Sequence, residues 1–181
     1  MRQPYQIPPL IVPQEIGKAV AAANVKMQSV LGRPINYEFG PTDDIIKLLQ
    51  FNKGAIPQVA NYPLVAMFCN PSDVMIKKGG GYDMTATIKK IVIATVTNLP
   101  DLPTTRINAT FVPILYPIYF EFLSQIAQLP TVVVQDPNAI VHSRQDIYGK
   151  VPANSDQGLT DYLDIIEITN LQLTFNQLKT C

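Results

Sequence analysis

The chain carries one histidine, His142, in the run His142-Ser143-Arg144-Gln145-Asp146, where a hydroxyl, an imidazole, a guanidinium and a carboxylate fall close together. Acyl transfer uses a serine nucleophile, a histidine base and a carboxylate that orients it, but triads assemble from distant segments by geometry. Side chains this close on a strand or turn point apart. The run therefore reads as a surface loop at a neighbour contact, not as a catalytic site. A second candidate is Lys77-Lys78-Gly79-Gly80-Gly81, which joins two cations to three residues of unrestricted backbone. A phosphate loop places its glycines before the lysine and opens a helix, whereas here the lysines come first and a strand follows. A flexible hairpin tip is expected, with a loop whose lysines meet phosphate in a lumen or an acidic partner surface as the alternative.

Asp161, Asp164 and Glu167 lie along one predicted strand. Alternation puts Asp164 on one side and Asp161 and Glu167 on the other, so no carboxylate pair forms for general acid–base work. They read as edge charges that discourage wrong strand pairing. Cys69 and Cys181 are the two cysteines, and with one histidine and no HExxH or CxxC they define neither a transition-metal site nor a disulfide framework. No cofactor is expected, and a reducing compartment is.

The elements that would position these groups follow from composition and periodicity. The 181 residues are 47% hydrophobic and 15% charged, with 14 basic and 14 acidic side chains and a formal net charge of zero. That length allows one domain with a substantial core. So little charge suggests a surface partly covered by other subunits, and neutrality leaves no bulk polycation for nucleic acid. A sequence-reading regulator of nucleic acid lacks its usual source of affinity. The prolines at 4, 8, 9 and 13 interrupt the N-terminus, so no signal peptide is expected and residues 1–13 read as an extended, docked arm.

Residues 14–181 read as a single α+β domain. Gln14 to Leu31 has apolar residues at three and four residue spacing and stops at Gly32, predicting a long helix. Ile35 to Phe39 is a short strand, and Pro41 to Asp44 caps a short helix ending near Gly54. Residues 64–69, LVAMFC, form a central strand buried on both faces. Residues 70–84 read as a mobile hairpin connection, and Thr85 to Thr97 as a β-branched strand of about 40 Å. Thr104 to Pro130 is the longest apolar stretch. It predicts a buried central helix kinked or late-starting at Pro117, with a bent strand pair as the alternative. It is too short and too broken by Pro113 and Pro117 to span a membrane, which needs about 20 unbroken apolar residues. A helix apolar on nearly all sides must be covered on nearly all sides, by this chain or a neighbour. Residues 131–158 form a long loop with a short strand at 132–134. Asp161 to Phe175 is the last strand, whose buried side switches near Thr169-Asn170 as at a bulge. The layout is α+β, a mostly antiparallel sheet carrying one long N-terminal helix and one central apolar helix.

The stretch Tyr62 to Phe68, the strand Ile88 to Thr97, Arg106 to Ile126 with its FVPILYPIYFEFL, and Asp161 to Ile168 together resemble neck and tail-completion proteins of tailed bacteriophages, and among them the tail-terminator ring proteins. The resemblance covers about two thirds of the chain as an order of elements and carries no diagnostic motif. It implies a non-enzymatic virion protein, made in the host bacterial cytoplasm, forming a ring of about six or twelve protomers by rotationally closed contacts. DNA would pass through the lumen without sequence specificity, other neck, portal or tail proteins would be partners, and no membrane would be involved. Lys77, Lys78, Gly79, Gly80 and Gly81 are then expected near the lumen. Tyr116, Tyr119, Phe120, Ile166 and Ile168 are expected at subunit interfaces. The proline arm and residues 131–158 depart from the smaller members of that family and would bind additional neck proteins. The alternative reading is a small intracellular ligand-binding or enzymatic α+β domain with its pocket under residues 131–158.

Overall fold

Two strands of 16 residues each set the frame, β4 (Gly81–Val96) and β7 (Leu163–Leu178). They run antiparallel from Val96 opposite Leu163 to Tyr82 opposite Leu178, and at the usual rise each spans about 50 Å. Strands this long outrun a single neighbour, so each is flanked by two shorter ones. β2 (Leu64–Phe68) and β3 (Ser72–Lys78) pair in succession along β4, while β5 (Val132–Val134) and β6 (Val141–Tyr148) pair along β7. β1 (Asn36–Gly40) lies parallel to β2 and completes a seven-stranded, mostly antiparallel sheet. The computed structural model describes residues 8–45, 61–69, 72–78, 81–97, 101–136, 139–148 and 162–178.

Helices cover one face of this sheet. α1 runs from Pro8 to Leu31 and buries Ile11, Val12, Ile16, Ala19, Val20, Ala23 and Met27. It begins earlier than the sequence suggests: the expected extended arm reached Pro13, but residues 8–13 are helical, while residues 1–7 lie outside the described residues. Proline has a helix-compatible φ, and Pro8 and Pro9 occupy a first turn whose N–H groups have no intrahelical partner. Burial of Ile11 and Val12 then outweighs the bond that Pro13 forgoes. The Tyr37 hydroxyl donates to the Pro13 carbonyl at 2.9 Å, and its ring approaches so close that a Cβ on Gly17 would lie 3.1 Å from Cε1. Gly32, at φ +64°, closes α1 by donating its N–H to the Gln28 carbonyl at 2.9 Å, a left-handed cap glycine adopts at little cost.

The central helix is one continuous rod in three registers: α2 (Pro103–Arg106), a π-helical segment (Ile107–Leu115) and α3 (Tyr116–Gln128). The bent strand pair is thereby excluded, and so is a late start at Pro117. In α register Pro113 and Pro117 would each lack a donor and crowd the carbonyl four residues back. The wider register re-routes the ladder, with the Tyr116 N–H reaching the Phe111 carbonyl five residues back. Phe111, Leu115, Ile118, Phe122 and Ile126 descend from this helix into the main core beside α1 and the sheet.

The expected switch of the buried side is present in both long strands. Ile166 and Ile168, then Leu171, Leu173 and Phe175, all join the main core, so alternation slips by one residue at Asn170, which has φ +54°. β4 slips opposite it, since Met84, Ala86 and Ile88 share that core with Ile91 and Ile93. Paired slips keep both strands in register. Beyond them the sheet is apolar on its second face too, where Leu163, Ile165, Val92, Ala94, Leu64 and Ala66 pack with Tyr62 and Ile45. Residues 42–45 are helical, and the Asp44 and Ile45 N–H groups both donate to the Pro41 carbonyl at 3.1 Å; the remainder of the expected short helix lies outside the described residues.

Two expected connections contain strands. Residues 70–84 hold β3, and residues 131–158 hold β6 besides the expected short strand at 132–134. Both escape sequence periodicity because neither has one buried face: Ser72 to Lys77 are all exposed, as are Val141 to Gln145.

Candidate assembly surface

The central helix is anchored by a buried polar network at its start. Asp164, fully buried in β7, accepts from Arg106 Nη1 at 3.1 Å and from the Ile147 N–H at 3.3 Å through Oδ1, and its Oδ2 lies 2.7 Å from the Thr110 hydroxyl. Arg106, 1% exposed, also donates through Nη1 to Thr97 Oγ1 at 2.9 Å and through Nε to the Asp101 carbonyl at 3.0 Å. Ile147 is held at φ +55° in a bulge of β6, an uncommon conformation for a β-branched residue, and its N–H is thereby aimed at Asp164. The expected role of the acidic set as edge charges is corrected here. β7 is an interior strand, Asp164 is an ion-pair partner, and Glu167 Oε2 meets Lys90 of the adjacent strand at 2.8 Å; Asp161 lies outside the described residues. Burial lowers the affinity of Lys90 for its proton, but the bond to Glu167 and the nearby Tyr148 outweigh it and raise the ammonium above its ordinary value.

So pinned, the helix presents two unlike faces. One packs on the sheet and on α1, where Lys26 Nζ meets Glu121 Oε1 at 2.9 Å. That hydrogen bond, with a second from Gln125 at 2.6 Å, holds Glu121 below the usual carboxylate range. The opposite face is bare. Val112, Tyr116 and Phe120 follow at four-residue spacing; Val112 is 57% and Phe120 64% exposed, and Tyr116 stacks on Phe120 with centroids 6.3 Å apart. Of the two sources expected to cover the helix, this chain or a neighbour, the described residues of this chain leave the stripe uncovered.

The sequence-derived interface set divides accordingly. Phe120 is exposed and Tyr116 half-buried. Tyr119, at 4%, points inward, and Ile166 and Ile168 are fully buried in the chain's own core, because the slip at Asn170 turns them toward the helices. These three are core residues and not subunit-facing ones. Tyr119 instead meets the histidine: its hydroxyl and His142 Nδ1 are hydrogen-bonded at 2.9 Å, with ring centroids 4.8 Å apart. Burial pushes the Tyr119 phenol above its ordinary value, so it keeps its proton at neutral pH. One strand step on, the Arg144 guanidinium lies 4.9 Å over the Phe111 ring. The run 142–146 is thus the strand β6, not a loop, and it clamps the helix to the rim of the sheet. Ser143 takes no part in this contact.

Lys77 is exposed near the end of β3, Lys78 is the last residue of that strand, and Gly81, opposite it, is the first of β4. Gly79 and Gly80, the expected hairpin tip, lie outside the described residues. Among the described residues no group of three or more His, Cys, Asp or Glu side chains could hold a metal, and no helix is long and apolar enough to cross a membrane. The other reading of the sequence is a pocket beneath residues 131–158, of which 149–158 lie outside the described residues; among the described residues there is an open depression of about 170 Å³ lined by Val134, Asp136, Ile140, Asn170 and Gln172. Ligand pockets are usually about 300–1,000 Å³. Comparison with protein-family models, curated proteins and solved structures gave no match, so the functional reading rests on the chain itself.

Proposed function

We propose that the protein is a structural, non-enzymatic virion protein, the subunit of an oligomeric ring of about six or twelve protomers in the neck or tail of a tailed bacteriophage, of tail-terminator or head–tail connector type. It is made in the host cytoplasm, joins neck, portal or tail proteins, and surrounds DNA without reading its sequence. The observation that carries the reading is the stripe Val112–Tyr116–Phe120, with Val112 and Phe120 more than half exposed, on the side of the helix opposite the one that packs into the core. A rigid helix pinned by a buried ion pair is a costly place to leave an exposed phenylalanine unless something covers it. A ring contact is heterologous, so the stripe of one subunit would seat on a different surface of the next, and repetition by rotation closes the assembly.

The resemblance of the sequence to tail-terminator proteins supports this reading, as do a formal net charge of zero and a low share of charged residues in the chain. Negative-stain electron microscopy of the purified chain is the test. Annular particles with a central opening are expected, and their loss on Phe120→Asp with unchanged secondary structure. Well-dispersed single subunits at every concentration, alone and with added portal or tail proteins, would contradict the proposal.

A further inference from the structure

β3 is paired on one edge, to β4, and among the described residues nothing pairs with the other. Ser72 to Lys77 are all exposed, and the middle of the strand is apolar on both faces, with Val74 at 61%, Met75 at 45% and Ile76 at 57%. Natural sheets blunt such an edge because it is a template for another strand. In β3 the charges sit toward the ends and have opposite sign: Asp73 before the apolar residues, Lys77 after them. Neither makes an ion pair with a described residue.

We infer that the open edge of β3 is a two-fold self-association surface, occupied by β3 of a second copy of this chain in antiparallel register centred on Met75. That register sets Asp73 opposite the partner's Lys77, Val74 opposite the partner's Ile76 and Met75 opposite the partner's Met75. The two-fold axis repeats the ion pair, so both ends of the contact are closed by opposite charges and its middle is apolar. Directly opposed residues are the pairs that stabilise a sheet, and like charges so placed destabilise it. Other registers lose the match: a slip of two residues puts a lysine or an aspartate opposite Met75, and parallel pairing in register puts Asp73 on Asp73 and Lys77 on Lys77. The charge pattern therefore selects one occupant and one alignment. It gives Lys77 a protein carboxylate as its partner, in place of phosphate in a lumen.

This contact is isologous and uses a sheet edge, whereas the proposed ring contact is heterologous and uses a helix face. Either can fail without the other.

Cysteine cross-linking reads the alignment. In the full chain carrying Cys69→Ser and Cys181→Ser, Met75→Cys is expected to form an intermolecular disulfide on mild oxidation, because opposed Cα atoms lie about 4.5–5.5 Å apart. Val74→Cys is expected not to, since two copies of that residue would stand about 7–8 Å apart on the diagonal. Adding Asp73→Lys or Lys77→Asp to the Met75→Cys chain should cut the cross-linking rate by about tenfold, and the double exchange should restore it to within about threefold. All four positions are exposed, so unchanged circular dichroism will show that the fold persists. Equal rates for the cysteines at 74 and 75, or a double exchange no faster than either single one, would overturn the inference.

Discussion

Replacing Asp164 by alanine removes the acceptor that Arg106, Thr110 and the bulged Ile147 N–H share. Arg106 keeps Thr97 Oγ1 and the Asp101 carbonyl, but both are neutral, and its guanidinium, 1% exposed, loses the Asp164 carboxylate. Breaking a buried ion pair from one side costs about 3–5 kcal/mol, a large part of the roughly 5–15 kcal/mol that holds a domain folded. At a urea m-value of about 2–3 kcal/mol/M the midpoint should fall by about 1–2 M. The pair Arg106→Met with Asp164→Leu removes both charges together and should recover most of the loss, because apolar side chains of similar volume replace a buried pair nearly neutrally. Recovery stays incomplete, since the Ile147 N–H still lacks its acceptor. Urea titrations of the three proteins, followed by far-ultraviolet circular dichroism, measure this directly. A loss below about 1 kcal/mol for Asp164→Ala, or a double variant no more stable than Asp164→Ala, would refute the claim that this pair pins the central helix.

Two further outcomes follow from local geometry. Asn170 absorbs the slip of β7 at φ +54°, so Asn170→Gly should be tolerated while Asn170→Val should cost about 1–3 kcal/mol in the same titration. Glu121 titrates below its ordinary value because Lys26 binds its charged form, so its contribution is present above the unfolded carboxylate pKa of about 4.3 and is lost as pH falls through the lower folded value. Lys26→Met should thus lower the thermal midpoint slightly near neutrality, and its curve should converge with that of the parent in acid; a constant difference across the range would contradict the linkage.

Elements with at least one buried face are legible in the sequence. The spacing from Ile16 to Met27 marks α1, the run 64–68 marks an interior strand, and the change of side at Thr169-Asn170 anticipates the slip at Asn170. Where neither face is buried, as in Ser72–Lys77 and in Val141–Gln145, periodicity carries no strand signal, and β3 and β6 were read as connections. The π register is a compromise between two prolines and a continuous core contact, which no propensity encodes. Arg106 and Asp164 are 58 residues apart, so only the fold brings them together. For the candidate surface, the aromatic character of Tyr116, Tyr119 and Phe120 was readable, but which of them faces outward depends on the phase of the helix after the π segment. Ile166 and Ile168 stand in the interface set on the resemblance alone, whereas the change of side at Thr169-Asn170 is consistent with their place in the core beside Leu171, Leu173 and Phe175.

The central claim is that the bare helix stripe is a subunit contact of a closed ring. Burying the exposed part of Phe120 should contribute about 2 kcal/mol to each contact, equivalent to a factor of about 30 in its association constant. The direct measurement is the mass of the full chain in solution by light scattering over a concentration series, beside Phe120→Asp. The account predicts growth toward one discrete species of about six or twelve protomers for the parent, and a variant with the same circular dichroism and unfolding midpoint that no longer reaches that species. A parent that forms the discrete species unchanged when Phe120 is replaced by aspartate, or one that stays monomeric throughout, would contradict it.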